Sequence, residues 1–259
     1  METGDRMPSI VSTVDPEIVA ALNARADEIA QGASTNSRVA ALLALASVPI
    51  ALGAIATDVY GQAPSDVIDV LQFALLLEYL EADFYQRGLA ATGLIPTTDR
   101  AAFGVISAHE TAHVTALQAL LRGKSTTPRV KPGFDFTARG AVAGFAFLPT
   151  QYATFQMLSQ AFEDTGVRAY KGQAARLVND KPVLTAALTI HSVEARHASM
   201  VRRLRGSKGW ITANSRDDLP AFTQPIYDGE ENSTQGVSDA FDEPLTMAQV
   251  TAIVSPFIV

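Results

Sequence analysis

The sequence contains no cysteine and only four histidines among its 259 residues. Disulfides, thiolate metal sites and cysteine nucleophiles are therefore excluded. Basic residues are outnumbered, with 20 Lys and Arg against 27 Asp and Glu, and the formal net charge is −7. This balance, without a basic patch, argues against a nucleic-acid partner. A bound metal would have to be held by carboxylate and imidazole groups, a ligand set that suits iron, manganese or zinc.

One long uncharged run stands out at residues 39 to 57, VAALLALASVPIALGAIAT. Its length is close to that of a membrane span, roughly 20 residues. The run is preceded by 38 residues, including the acidic stretch DPEIVAALNARADEIA (15–30), and Pro49 and Gly53 interrupt it. Three interpretations stay open: a late export signal, a membrane anchor, or helices packed on the rest of the protein. We expect this run to be mainly helical and removed from water, and we favour export or envelope association over a cytoplasmic location.

From about residue 64 the pattern is typical of long amphipathic helices, with no β-type alternation between them. The first predicted helix follows Ser65 and extends to the region of Gly88 to Gly93, and the second starts at 97 to 99 and ends before Gly123. The third predicted helix covers residues 141 to 165 and stops near Gly166. The fourth is capped by Asp180 and ends before Gly206. The first connection is short, so the helices it joins should be antiparallel neighbours. The Pro- and Gly-rich link at 123 to 140 suits a crossover along the bundle.

The predicted fold is therefore an all-α four-helix bundle with one long crossover and an extension at each end. We expect an N-terminal extension at residues 1–63, the bundle at 64–206 and a C-terminal extension at 207–259 that packs on the bundle. Thr246 and Gln249 match a capping box that would begin a short final helix. The single tryptophan, Trp210, is predicted to anchor the C-terminal extension.

Each of the four predicted helices places acidic groups on an apolar face. Glu-x-x-His occurs twice, and its i, i+3 spacing puts both side chains on one side of a helix. A carboxylate buried without a partner is costly, and several together repel one another unless cations lie between them. Two metal ions among the carboxylates resolve this conflict, as in di-metal helical bundles. The predicted ligands are Glu78, Glu110, His113, Glu163, Glu194 and His197.

Other polar residues near these positions have alternative interpretations. Glu81 is a weaker ligand candidate than Glu78 and can be solvated, and Gln160 can assist or replace Glu163. His109 and His191 are interpreted as supporting or packing residues around the ligands. Tyr85, seven residues after Glu78, is a candidate catalytic tyrosine or a core tyrosine that is hydrogen-bonded to a ligand carboxylate. Without metal, we expect the pKa values of the crowded glutamates to rise.

Four segments carry a resemblance to a known family: LEYLEADFY (77–85), HETAH (109–113), AFEDTGVRAYKGQA (161–174) and HSVEARH (191–197). They resemble the ferritin-like superfamily and, within it, the desiccation-related ferritin-like family. The resemblance spans about residues 65 to 205 and continues into the tail at ENSTQG and FDEPLT. It implies a ferritin-like bundle with a two-metal site of iron or manganese, zinc being a further option.

Two functions follow from these observations. The first is metal-dependent oxygen or peroxide chemistry, or metal binding, in oxidative or desiccation stress protection, with metal ions and a small oxidant as partners. The second is a structural or interaction bundle associated with the cell envelope, whose metal site is vestigial or only stabilising. Membrane association and a homo-oligomer are compatible with the sequence, which leaves open whether the protein is an enzyme.

Overall fold

The computed structural model describes residues 67–229 and 240–259. Contacts between residues divide the chain into Met1–Gly61 and Gln62–Val259. The predictions for residues 39 to 57 lie outside the described residues. Within the described ranges, no helix is both long enough and apolar enough to cross a bilayer.

Four long helices form the bundle. They are α1 (Val67–Ala90), α2 (Thr97–Gly123), α3 (Tyr152–Ala174) and α4 (Lys181–Leu204). The most extensive contacts join α1 to α2 and α3 to α4, and smaller ones join α1 to α3 and α2 to α4. No strand occurs in the described ranges, where the only β pairing is a bridge between Phe134 and Ile258. The predicted all-α bundle with a long crossover is confirmed.

Local sequence explains where α4 begins. The Asp180 side chain accepts a hydrogen bond from the Val183 backbone N–H, and Pro182 lies in the first turn of α4, where its missing N–H costs nothing. Helix α1 continues past Gly88 to Ala90, and the Phe155 ring packs closely against Gly88. A Cβ at Gly88 would lie 2.3 Å from the ring.

The predicted bounds of the third helix are wrong at both ends. Residues 141 to 151 do not form an α-helix, because the chain turns at Gly144 (φ +71°) and Phe147 (φ +56°) and then meets Pro149. Helix α3 begins at Tyr152 and passes through Gly166 to end at Ala174. Glycine inside a helix costs about 1 kcal/mol relative to alanine, so a packing requirement must favour it at position 166.

Helix α1 lies in the centre of the protein rather than at its surface. Between Val70 and Tyr85 every residue except Gln72 is buried. Phe84 stacks on Phe155 of α3 with ring centroids 4.8 Å apart. Phe136 of the crossover also packs against Phe84, with ring centroids 5.1 Å apart. The crossover thus completes the core around the helix that carries Glu78.

The C-terminal residues cover α3. Helix α5 (Met247–Val254) begins with the predicted Thr246–Gln249 capping box. The buried Arg168 guanidinium donates to the backbone carbonyls of Ile226, Asp228 and Glu243. Further short 3₁₀ helices lie at Pro149–Gln151, Ala175–Leu177, Ala221–Ile226 and Ser255–Phe257.

Trp210 does not anchor the C-terminal extension, because its side chain is 47% exposed. Ile226 and Tyr227 are buried instead, and the Tyr227 hydroxyl donates to Asp164 Oδ2 over 2.7 Å. Arg202 pairs with the same carboxylate inside the protein. Asp164, Arg202 and Tyr227 thus form a buried polar network between the bundle and the first part of the extension.

Candidate metal centre

The six predicted ligands meet in the middle of the bundle. Helices α1 and α3 each contribute one glutamate, and α2 and α4 each contribute a Glu-x-x-His pair. The four glutamates are completely buried, and the two histidines are 8% and 4% exposed. The i, i+3 spacing explains the pairs, since it places both side chains over the same turn of the helix.

The side chains form two overlapping groups, in each of which the candidate ligand atoms lie within 4.8 Å of one another. One group contains Glu78, Glu110, His113 and Glu194, and the other contains Glu110, Glu163, Glu194 and His197. Glu110 and Glu194 belong to both. Each group offers oxygen and nitrogen donors of the kind that bind iron, manganese or zinc.

His113 faces three carboxylates at once. Its Nδ1 lies 3.2 Å from Glu78 Oε2, 3.0 Å from Glu110 Oε2 and 3.1 Å from Glu194 Oε1. A ring nitrogen carries at most one hydrogen and cannot donate fully to three acceptors. A cation at the meeting point would satisfy all of these atoms together.

Several buried polar atoms at this point lack hydrogen bonds with any residue that the structure describes. They are Glu110 Oε1, Glu163 Oε2, both oxygens of Glu194, and His197 Nδ1. His197 Nδ1 lies 2.7 Å from Glu110 Oε1, close but without hydrogen-bond geometry. Buried polar groups are almost always paired. Unpaired atoms that converge from three helices therefore fit a metal centre.

Three of the four glutamates resist ionisation in the metal-free protein. Burial raises the pKa of Glu78 to about 8, although the His113 hydrogen bond opposes the shift. Burial also raises the pKa of Glu163, and the pKa of Glu194 is raised well above its usual value by burial and by the charge of Glu110. Burial without a compensating cation thus favours the protonated forms of these carboxyls.

Glu110 contradicts the expectation that every glutamate pKa rises. Burial favours its neutral form, but the His113 hydrogen bond and the facing His197 imidazolium outweigh burial and lower the pKa to about 2. Burial also opposes charge on the histidines, yet the facing carboxylates raise the pKa of His113 to about 12 and that of His197 to about 10. Without metal, the protonated imidazoles of His113 and His197 and the ionised Glu110 carboxylate therefore stabilise one another.

Two tyrosines hold the lone glutamates in a reciprocal arrangement. The Tyr85 hydroxyl of α1 donates to Glu163 Oε1 of α3, and the Tyr170 hydroxyl of α3 donates to Glu78 Oε1 of α1. Sequence reasoning missed Tyr170, although a signal was present. Tyr170 follows Glu163 by the same seven residues that separate Tyr85 from Glu78.

His109 supports the centre from its surface side. It is an exposed residue whose Nδ1 lies 2.9 Å from His197 Nε2, and the two rings stack with centroids 5.2 Å apart. This contact leaves Nδ1 of His197 directed at Glu110 and Glu163. A partner on the second ring nitrogen fixes the orientation of a ligating histidine.

Three other polar residues, Glu81, Gln160 and His191, belong to neither group of candidate ligands. Glu81 is not solvated, being 3% exposed, and it belongs to neither group. Gln160 does not assist Glu163, because its side chain binds Arg205 and Asp217. His191 belongs to neither group, and burial and the charge of Lys171 lower its pKa.

The fold and the site together define a four-helix bundle with a buried carboxylate–histidine centre. A family model described as a ferritin-like domain matches residues 66–207. The match covers more than half of the chain, and the protein belongs to the ferritin-like domain family. A search of curated proteins gave no match.

Proposed function

We propose that the protein is a two-metal carboxylate protein of iron or manganese that reacts with dioxygen or peroxide. The observation that supports this most is the sharing of Glu110 and Glu194 between two groups of candidate ligands. Shared carboxylates can bridge two cations, whereas Glu78 with His113 and Glu163 with His197 would complete one position each. When bound, the metals supply redox and Lewis-acid chemistry.

The surrounding residues would control this chemistry in three ways. Tyr85 and Tyr170 would orient the carboxylates of Glu163 and Glu78, and His109 would orient His197. Complete burial of the glutamates would exclude bulk water and strengthen electrostatic interactions inside the site. The carboxyls would release their protons when a metal binds, so binding should strengthen as pH rises.

The physiological role belongs to the same proposal. The segments that resemble the desiccation-related family support protection against oxidative or desiccation stress. The uncharged run at residues 39 to 57 supports an exported or envelope-associated location. Fractionation of cells tests the location, because a mature chain that begins near residue 62 outside the cytoplasm would indicate export.

One observation favours a structural alternative. The facing carboxylates raise the pKa values of His113 and His197, so protonated imidazoles can stabilise the Glu110 carboxylate in the buried centre without metal. A bundle of this kind can serve as an envelope-associated structural or interaction protein with a vestigial site.

Elemental analysis of protein purified without chelator, followed by an assay of peroxide turnover, separates the two functions. The metal-dependent function predicts two metal ions per chain and turnover that is lost in Glu194→Gln. Metal-free protein that neither takes up iron or manganese nor consumes peroxide supports the structural alternative.

A further inference from the structure

The C-terminal end of α4 and the loop after it carry a concentration of positive charge. Residues 195–216 contain six Lys and Arg side chains and no Asp or Glu, whereas acids outnumber bases in the whole chain. Two of the six form ion pairs with acids that follow in the sequence, Arg202 with Asp217 and Arg205 with Asp218. The charge of the remaining cations has no counterpart within the segment.

Three of the remaining cations lie on the surface beside exposed apolar side chains. Arg196, Arg203 and Lys208 are exposed. Met200 and Trp210 are also exposed, at 46% and 47%. Arg196, Met200 and Arg203 share one side of α4, because they are spaced four and three residues apart. This side of the helix therefore presents an apolar side chain between two guanidinium groups.

A glycine cap turns the chain back at the end of α4. Gly206 adopts a left-handed backbone conformation with φ +77°, which glycine takes at the least cost. The Ser207 backbone N–H donates to the Arg202 carbonyl over 2.9 Å, and the Gly206 N–H donates to the Arg203 carbonyl over 3.0 Å. The loop that carries Trp210 therefore begins by reversing direction.

The reversed loop packs closely against α4. A Cβ at Gly209 would lie 2.6 Å from Ser199 Oγ and 2.8 Å from Arg203 Nε. The next residue is Trp210, and its carbonyl accepts a hydrogen bond from the Arg202 guanidinium over 3.4 Å. These contacts hold Trp210 alongside the last turns of α4. The exposed side chains at this place form what we call the α4-end surface: Arg196, Met200, Arg203, Lys208 and Trp210.

We propose that the α4-end surface binds the headgroup region of an anionic lipid membrane. Tryptophan is typical of the membrane interface, where its indole ring is only partly immersed, and Lys and Arg near such a surface are attracted by acidic headgroups. The net charge of −7 is repelled by the same membrane, so contact is favoured only where cations and apolar groups coincide. An acidic protein would also attract the cations, but a lipid interface additionally accounts for the exposed indole. The inference does not depend on the metal function.

Fluorescence reports directly on this contact, because Trp210 is the only tryptophan in the chain. The full-length protein is mixed with vesicles of phosphatidylcholine that has brominated acyl chains, with or without phosphatidylglycerol. Bromine quenches an indole only at close range. With phosphatidylglycerol present, Trp210 emission should be quenched and should shift to shorter wavelength, and high salt should abolish both effects. No quenching, or equal quenching by the neutral vesicles, would overturn the proposal.

Substitution of one cation separates this surface from any other part of the chain that binds lipid. Arg203→Gln should weaken partitioning into phosphatidylglycerol vesicles about fivefold, the contribution typical of one cation at an anionic membrane. Arg122→Gln is the matched control and should bind as the wild type does, since Arg122 is also an exposed arginine in the last turn of a helix.

Two further outcomes would count against the proposal. Equal partitioning of Arg203→Gln and Arg122→Gln would show that lipid is bound elsewhere on the chain. A shift of Trp210 emission that polyglutamate causes and phosphatidylglycerol vesicles do not would assign the α4-end surface to an acidic protein instead.

Discussion

Replacement of Glu78 by glutamine isolates the electrostatic cost of one buried carboxyl. The change keeps the shape of the side chain and removes its ability to ionise. In the metal-free protein, burial raises the pKa of Glu78 from 4.5 to about 8. Between these values the native state holds a proton that the unfolded state has released. The stability of the wild type therefore falls as pH rises through this interval.

The size of the effect follows from the linkage between proton binding and folding. One proton retained only by the native state changes the free energy of unfolding by about 1.4 kcal/mol per pH unit. Between pH 5 and pH 7, Glu78 should therefore remove about 3 kcal/mol from the stability of the metal-free wild type. Glu78→Gln should lack this contribution, so its stability should fall less steeply with pH.

Urea unfolding in the presence of chelator, at several pH values from 5 to 7, measures the difference in slope. Asp69→Asn is the matched control, because it makes the same chemical change at an exposed position of α1. The control can lose part of the favourable interaction with the helix N-terminus, but its slope should match the wild type. If Glu78→Gln and the wild type have parallel pH profiles, the carboxyl is not desolvated as described.

Three further predictions test residues around the centre. Tyr170→Phe should weaken iron(II) or manganese(II) binding, measured by chelator competition, because the hydroxyl that orients Glu78 is lost. Tyr152→Phe is the control and should bind metal as the wild type does, because the Tyr152 hydroxyl donates to Asp99 instead. His109→Ala should lower metal affinity about tenfold without unfolding the protein, as loss of a supporting contact to His197 typically does, and unchanged affinity would remove its supporting role. Arg168→Met should destabilise the protein by about 2 kcal/mol and speed amide hydrogen exchange near Ile226, because charged hydrogen bonds to the C-terminal extension are lost; unchanged exchange there would contradict this.

The bundle and its central residues were predictable because they depend on local spacing. The sequence alone places the i, i+3 pairs and the lone glutamates on the apolar faces of their helices, independently of how the helices pack. The cap at Asp180 and the capping box at Thr246 are also local features. These parts of the sequence specify the structure without knowledge of distant contacts.

The incorrect parts depend on contacts between distant residues. Gly166 was interpreted as a helix end, but it lies inside α3, where a Cβ would lie 3.0 Å from Glu194 Oε2 and 3.3 Å from Glu81 Oε1. Gln160 was considered able to assist or replace Glu163, but its side chain forms hydrogen bonds with Arg205 and Asp217 instead. Spacing along the chain cannot show either contact.

The electrostatics of Glu110 were unpredictable for a similar reason. Counting carboxylates suggests that every pKa rises. The pKa of Glu110 is lowered instead because both histidines face its carboxylate, and this arrangement is a property of the packed bundle. Tyr170 is different, since its spacing from Glu163 repeats that of the Glu78–Tyr85 pair and was available in the sequence.

Anomalous X-ray diffraction from crystals grown with manganese(II) tests the central claim most directly. The account predicts two anomalous peaks inside the bundle, one beside Glu78 and His113 and one beside Glu163 and His197, with Glu110 and Glu194 contacting both. Crystals of a folded, manganese-saturated sample with no peak at this position, or with peaks only at surface carboxylates, would contradict it.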